Sequence, residues 1–286
     1  MSAQRLATAL VGAVLFALPC SIPVGAQDRP TTASRPKRLL LLAQSPDSHP
    51  KTTHEYLEGN RVIARLLQGH QSIQTIVVLA DSPWPDGPEL LENADGVLLF
   101  LTEGAKWISA DDKRLAAFQR LAQRGGGLTC LHWGMGTRDT VPVTNFVSLF
   151  GGCHGGPDRK YKVTDFQVSV SSSSHPTTSG ILPFEIHDEF YYDLKWPASR
   201  VGLTPLLHVR LDDVDFPVAW AWERPDTGRS FGFTGLHFHE NWRRLEYRRL
   251  VAQGILWTLH EPIPAAGLTL DVSDAELTLP ATCPGK

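Results

Sequence analysis

Gly125-Gly126-Gly127-Leu128-Thr129-Cys130-Leu131-His132-Trp133-Gly134 joins a glycine run, an apolar segment and a second small-residue turn. Leu128 to Leu131 is a short apolar strand that runs straight into a small-residue turn. A sharp strand-to-helix turn of this kind exposes one side chain at the top of a sheet, as nucleophile elbows do. Here the exposed residue is His132, neither Ser nor Cys. Cys130 lies two residues earlier, inside the strand, where a small core residue is the simple reading.

Working outward, Arg38 to Gln44 contains Leu39-Leu40-Leu41-Leu42-Ala43. A wholly apolar run of that length suits a strand covered on both faces. Gln74 to Ala80 and Gly96 to Leu101 read the same way. Between them, His54 to Gln68 carries Leu57, Ile63, Leu66 and Leu67 at mostly helical spacing, with Thr53 to cap its start and Gly69 to close it. Ser109 to Arg124 reads as a second helix, capped by Ser109, with Asp111 and Asp112 in its positive first turn and Leu115, Phe118 and Leu121 inward. Strand, helix, strand, strand, helix, strand is the order of a doubly wound parallel sheet. Ligands in such sheets bind beyond the carboxyl ends of the strands. That puts Ser45–His54, Thr102–Trp107 and His132–Arg138 on one rim.

The second half has a different grammar. Val163 to Val170 alternates, with Phe166, Val168 and Val170 on one side. Phe184–Leu194, Leu206–Leu211, Pro217–Glu223 and Ser230–Leu236 are further strand candidates, rich in aromatics or Val. Trp242 to His260 is an amphipathic helix. The expected fold is one α/β domain over residues 38–260, its sheet extended by partly antiparallel strands.

The 286 residues include 27 Lys+Arg and 30 Asp+Glu, a formal net charge of −3. That balance argues against a nucleic-acid partner, which calls for a basic excess. With 42% hydrophobic residues the composition excludes disorder and a disulfide-dense miniprotein. Arg5, the apolar Leu6–Leu18 and Val24-Gly25-Ala26 read as a secretory signal peptide over residues 1–26, cut after Ala26. The expected destination is therefore the periplasm or the extracellular space. Lipidation at Cys20 is disfavoured by Pro19. Residues 27–37 read as a polar, Pro-rich disordered lead-in, and residues 261–286 as an extended tail over the domain. No second apolar run reaches spanning length. Of Cys130, Cys153 and Cys283, an exported protein could oxidise one pair.

Three further clusters carry chemistry. His237-Phe238-His239-Glu240-Asn241-Trp242 opens the last helix; if strand geometry persists, His237 and His239 share a face at a spacing that can ligate a metal. The bland reading is two polar residues at a helix entrance. His187-Asp188-Glu189-Phe190-Tyr191-Tyr192 pairs acids with aromatics, which offers a carboxylate base and a sugar platform, or merely solvated loop acids. His49-Pro50 and His54-Glu55 flank the first rim loop, where Glu55 is already explained by the helix dipole. Gly151-Gly152-Cys153-His154-Gly155-Gly156 reads as a flexible loop without a phosphate-binding ending.

Ser45–Leu67 (with HPKTTHEYLEGNRVIARLL), Gly125–His132 (GGGLTCLH), His175–Tyr192 and Ala219–Trp242 together resemble the ThuA-like trehalose-utilisation family, in its exported bacterial branch. The resemblance implies a flavodoxin-like, class I glutamine amidotransferase-like three-layer sandwich with a mostly parallel sheet and additional antiparallel strands in the C-terminal half. In amidotransferases the elbow carries a Cys nucleophile; the matching position here is His132, which removes glutaminase chemistry but suits acid/base work or ligation. The resemblance further implies a catalytic cluster of His132, Glu189 and His237. The expected substrate-binding residues are His49, His54, Trp133, Asp188, Tyr191, His239, Asn241 and Trp242, with Trp133 and Trp242 stacking on sugar faces. If a metal is held, Zn²⁺ on His132, Glu189 and His237 is the expectation. The implied activity is that of a hydrolase, lyase or isomerase on a small-molecule disaccharide or 3-keto-glycoside. The alternative is a non-catalytic sugar-binding or interaction module on the same fold.

Overall fold

In the computed structural model, which describes residues 35–281, the run Leu39–Ala43 is covered on both faces, as its composition demands. It lies in β1 (Lys37–Ala43); Leu39, Leu41 and Ala43 enter one core layer and Leu40 and Leu42 the other. The leader 1–26, the lead-in through residue 34 and Cys283 lie outside the described residues. The chain continues through α1 (Tyr56–Leu67), β2 (Ile73–Leu79), α2 (Gly87–Glu92), β3 (Gly96–Leu99), α3 (Gly104–Ser109), α4 (Asp112–Gln123) and β4 (Gly127–Leu131). A two-residue β5 (Gly136–Thr137), α5 (Val141–Phe150) and a two-residue β6 (His154–Gly155) follow. The second half holds β7 (Lys160–Val170), β8 (Phe184–Tyr192), β9 (Leu203–Leu211), β10 (Val214–Glu223), β11 (Arg229–Phe233), α6 (Leu245–Thr258) and α7 (Asp274–Leu277).

Among the described residues nine strands form one sheet in the order β2-β1-β3-β4-β11-β10-β9-β7-β8. The pairs from β2 to β11 are parallel and the pairs from β11 to β8 antiparallel. Strand direction therefore alternates along the antiparallel wing, and only β10 and β7 run against the rest. β8 consequently ends where the parallel strands end. The wing also curls back: Phe190 of β8 meets Phe233 of β11 at 6.0 Å, and Phe184 meets Tyr247 of α6 at 5.8 Å. Register shifts near Pro217 and Ala219 in the β10–β9 pair add the twist that such curling needs. Helices α1 and α6 cover one face through Ile63, Leu66, Leu250 and Ile255. Helices α4 and α5 cover the other through Phe118, Leu121, Phe146 and Phe150. The result is the three-layer α/β sandwich with a mostly parallel sheet and antiparallel strands in its C-terminal half.

Several boundaries differ from the sequence reading, each for a local reason. The Ser109–Arg124 helix breaks after Ser109. Asp111 is extended and its carboxylate accepts from the Arg114 N–H (2.9 Å), so Asp111 caps α4 and Ser109 ends α3. Thr53 does not cap α1; its hydroxyl donates to the Pro50 carbonyl (2.5 Å). The last helix starts at Leu245 because Arg244 is extended, and His239–Arg243 forms a separate 3-10 turn. Helix α5 was hidden by its β-branched residues and Pro142, although Pro is tolerated in a first helical turn. Gly151–Gly156 is no flexible loop: all six residues are buried, and β6 pairs with β5. Gly151 (φ 81°) closes α5, a backbone conformation that favours glycine. Cys130 and Cys153 are buried free thiols. Beyond α6, Leu268, Leu270 and Leu277 are buried against the α1–α6 layer. No helix among the described residues is long and apolar enough to cross a membrane.

Candidate metal centre

Strands β4 and β11 are neighbours, so the residues just past their carboxyl ends leave the sheet side by side. His132 follows β4 directly and has a left-handed backbone (φ 46°), which turns it off the line of the strand. His237 lies four residues past the end of β11. His54 comes from the loop after β1, also left-handed (φ 54°), and its N–H donates to the His237 carbonyl (3.1 Å). Thr53 and Phe238 form an antiparallel bridge, and the His239 N–H donates to the Thr52 carbonyl (2.8 Å). This short ribbon seats the His54 ring beside the His237 ring. Glu189 and Tyr191 reach the same place from the carboxyl end of β8.

Asp188 fastens that meeting point. Its carboxylate accepts from the N–H groups of Glu189 (2.9 Å), Leu236 (2.8 Å) and His237 (3.1 Å) and from the Tyr247 hydroxyl (2.8 Å). Burial pushes this carboxyl up to about 6, against those hydrogen bonds. Asp188 thus positions the His237 loop and lies beneath the cleft, where the sequence reading had placed a substrate contact.

The rings converge. His54 Nε2 lies 3.0 Å from His237 Nδ1 and 3.1 Å from His132 Nε2, and His132 Nε2 lies 3.3 Å from His237 Nδ1. Glu189 Oε1 stands 3.8 Å from His132 Nε2 and 3.9 Å from His237 Nδ1. The Tyr191 hydroxyl is 3.1 Å from His132 Nε2. Two tautomers follow from the outer partners. His132 Nδ1 faces the Thr234 carbonyl oxygen (2.7 Å), which only accepts, so Nδ1 carries the proton. His54 Nδ1 faces the Asp47 carboxylate (3.2 Å) and likewise donates. Burial alone would raise the Asp47 carboxyl, but hydrogen bonds from His54, His49, Thr102 and Tyr56 hold it far below the usual range. Both Nε2 atoms therefore present lone pairs to each other at 3.1 Å.

Burial, reinforced by the neighbouring His54 and His237, pushes the fully buried His132 well below its ordinary pKa. Burial lowers His237 to about 3, helped by His54 and His49. Burial also lowers His54, although Asp47 opposes the shift. All three rings stay neutral near pH 7. Burial raises Glu189 to about 7, with the Asp188 charge adding to it. The site is thus a set of neutral nitrogen donors beside a carboxyl poised at neutrality.

The sequence reading counts His54 among the substrate contacts, yet its Nε2 is as deep in the cluster as the other two ring nitrogens. His49 stacks on His54 at 3.6 Å and is half-buried at the cleft edge. Tyr191 stacks between His132 (4.5 Å) and His154 (3.8 Å). Trp133 is 6% exposed and lines the cleft beside Glu189 and Tyr191, whereas Trp242 is only 1% exposed and leaves no face for a sugar to stack on. Trp242 packs in the α1–α6 core. His239 Nε2 donates to the Leu277 carbonyl (3.1 Å), turned away from the three converging rings, because strand geometry ends at Phe233 and Leu236 is left-handed (φ 79°). The Asn241 amide donates to the His187 carbonyl (3.0 Å), a tie between β8 and the turn. Asp47, Thr234 and His154 escaped the sequence reading. Asp47 sits in the rim loop expected from topology, but Thr234 contributes only a carbonyl and has no sequence signature. Trp242→Ala is expected to cost about 3–5 kcal/mol in urea unfolding, as loss of a buried aromatic does; a cost under 1 kcal/mol would contradict its core placement.

The family described as "ThuA: Trehalose utilisation" matches residues 48–258. Among solved structures, a ThuA-like protein from Bacteroides uniformis ATCC 8492 is similar at TM-score 0.59 and 16% identity, covering 80% of this chain and 95% of that one. A cytoplasmic protein, STM3548, from Salmonella typhimurium is similar at TM-score 0.53 and 12% identity, covering 78% and 98%. A glutamine amidotransferase from Thermotoga maritima follows at TM-score 0.41 and 10% identity, covering 78% and 96%. No curated protein matches the chain.

Proposed function

Because the chain belongs to the ThuA, trehalose-utilisation, family, we propose that it is an exported carbohydrate enzyme that uses metal-assisted acid/base chemistry on a disaccharide or 3-keto-glycoside. The observation that carries the reading is the convergence of His54 Nε2, His132 Nε2 and His237 Nδ1, all 3.0–3.3 Å apart. Ligands at about 2.05 Å from a tetrahedral zinc ion lie about 3.3 Å from one another, so the triangle fits one ion. Imidazole ligands suit zinc among the first-row metals. The outer hydrogen bonds to Asp47 and the Thr234 carbonyl are the kind that fix a ligating imidazole's tautomer. The proposed ligand set is thus three histidines, His54 joining His132 and His237, with the Glu189 carboxylate within reach of the same point.

When bound, the ion would act as a Lewis acid on a sugar oxygen. The proton is moved by Glu189, whose carboxyl is raised to about 7 and lines the cleft with Tyr191 and His49. A base with a pKa near the working pH transfers protons best. Tyr191, pushed well above its ordinary pKa by burial, keeps its hydroxyl proton at the edge of the cleft. The test is mass spectrometry of trehalose and 3-ketotrehalose incubated with the zinc-loaded protein. A product with either sugar supports the enzyme; saturable binding with no product points to the non-catalytic module instead. Asp47→Asn is expected to weaken zinc affinity about 10–100-fold, as loss of an outer partner does, measured by competition with a chromogenic chelator. Unchanged affinity would remove Asp47 from the centre.

A further inference from the structure

Arg159 has a charge that the fold does not answer. It is half-buried at the cleft that Glu189 and Tyr191 line, and its guanidinium lies 5.9 Å from the Trp133 ring centroid. Its side chain donates to the Gly156 carbonyl (3.2 Å), and no carboxylate among the described residues pairs with it. Its neighbour Asp158 is engaged by Lys195 (2.5 Å), and Arg138, on the same cleft, is paired with Glu103 (2.7 Å). A second unanswered group stands beside it. His154 is 2% exposed, lines the same cleft and stacks on Tyr191, yet its ring nitrogens have no hydrogen-bond partner among the described residues. Its ring nitrogens keep some solvent contact at the cleft wall, where they are open to a ligand atom. Glu189 is the one carboxylate among the residues lining the cleft, so an anion entering there meets a cation and an N–H donor against a single carboxylate. A planar guanidinium fork suits carboxylate and phosphate oxygens.

We infer that the saccharide taken by this cleft carries an anionic substituent, a carboxylate or a phosphate, with Arg159 as its counter-ion and His154 as a second donor. The inference rests on the carbohydrate reading above in taking the ligand to be a sugar. It is tested by calorimetric titration of the zinc-loaded protein at low salt with glucuronate, glucose 6-phosphate and glucose, with zinc measured by elemental analysis in the same samples. Glucuronate or glucose 6-phosphate is expected to bind at least about tenfold more tightly than glucose, as a charge-assisted hydrogen bond would give; which of the two wins identifies the anion. Arg159→Gln, at the cleft wall and outside the metal triangle, is expected to abolish the preference with zinc content unchanged. Equal binding of the three sugars, no binding of any, or a preference that survives Arg159→Gln overturns the inference. A preference that needs Arg159 in protein that holds no zinc upholds it and instead defeats the metal reading. Stoichiometric zinc without the preference does the reverse.

Discussion

Replacing His132 by Ala is expected to lower bound zinc from about one ion per chain to almost none. The affinity loss should exceed the roughly 10–100-fold that removal of an outer partner costs. The reason is geometric. His132 Nε2 lies within 3.3 Å of both other ring nitrogens, and its tautomer is set by the Thr234 carbonyl. Two remaining imidazoles do not make a closed ligand set. His132 is also left-handed and fully buried, so Ala there strains the turn and opens a cavity. His132→Asn separates folding from ligation, since Asn tolerates that backbone conformation while lacking the distant nitrogen. Both variants should lose zinc, and the Asn variant should keep a wild-type circular dichroism spectrum. Zinc at 100 times its dissociation constant should stabilise the wild type by about 2.7 kcal/mol, and neither variant. Full zinc occupancy in His132→Asn would remove this residue from the centre.

Glu189→Gln is expected to cut turnover by about 10²–10⁴-fold, the usual worth of a positioned base, while leaving zinc in place. Gln keeps the shape and loses the proton acceptor. The pH profile carries the second half of the argument. Burial and the Asp188 charge raise the Glu189 carboxyl to about 7, so the competent ionised form is gained as pH rises through that value. A cation bound beside it favours the ionised form and moves the limb lower, never higher. Wild-type turnover should therefore rise with pH up to an inflection at or below about 7, and the Gln variant should lack that limb. Zinc lost together with turnover would make Glu189 a ligand rather than a base. Unchanged turnover would leave it no part in the reaction.

The parallel block was legible because strands covered on both faces must be apolar throughout, as Leu39–Ala43 is. Topology then located the rim. It also located His132, since one residue past a buried strand is where a side chain first escapes the sheet. Glu189 could be named but not argued from local sequence: β8 is five strands from β4 in the order of the sheet, and only the curl of the antiparallel wing brings its end to His132. His54 was undervalued because its ring is placed by a ribbon between Thr53 and Phe238, two segments far apart in sequence. Gly151–Gly156 read as flexible because its glycines permit motion. In the fold they permit close packing instead, with Gly152 under the Trp220 ring. Trp242, His239 and Asn241 stood out in the sequence by residue type, yet burial and backbone hydrogen bonds occupy all three.

The central claim is that three imidazoles share one ion. Its most direct test is anomalous diffraction above and below the zinc edge, on crystals of the protein given one equivalent of zinc. A single edge-dependent peak is expected about 2.0–2.1 Å from His54 Nε2, His132 Nε2 and His237 Nδ1. Rings that remain in contact with no such peak between them, in protein exposed to zinc, would contradict it.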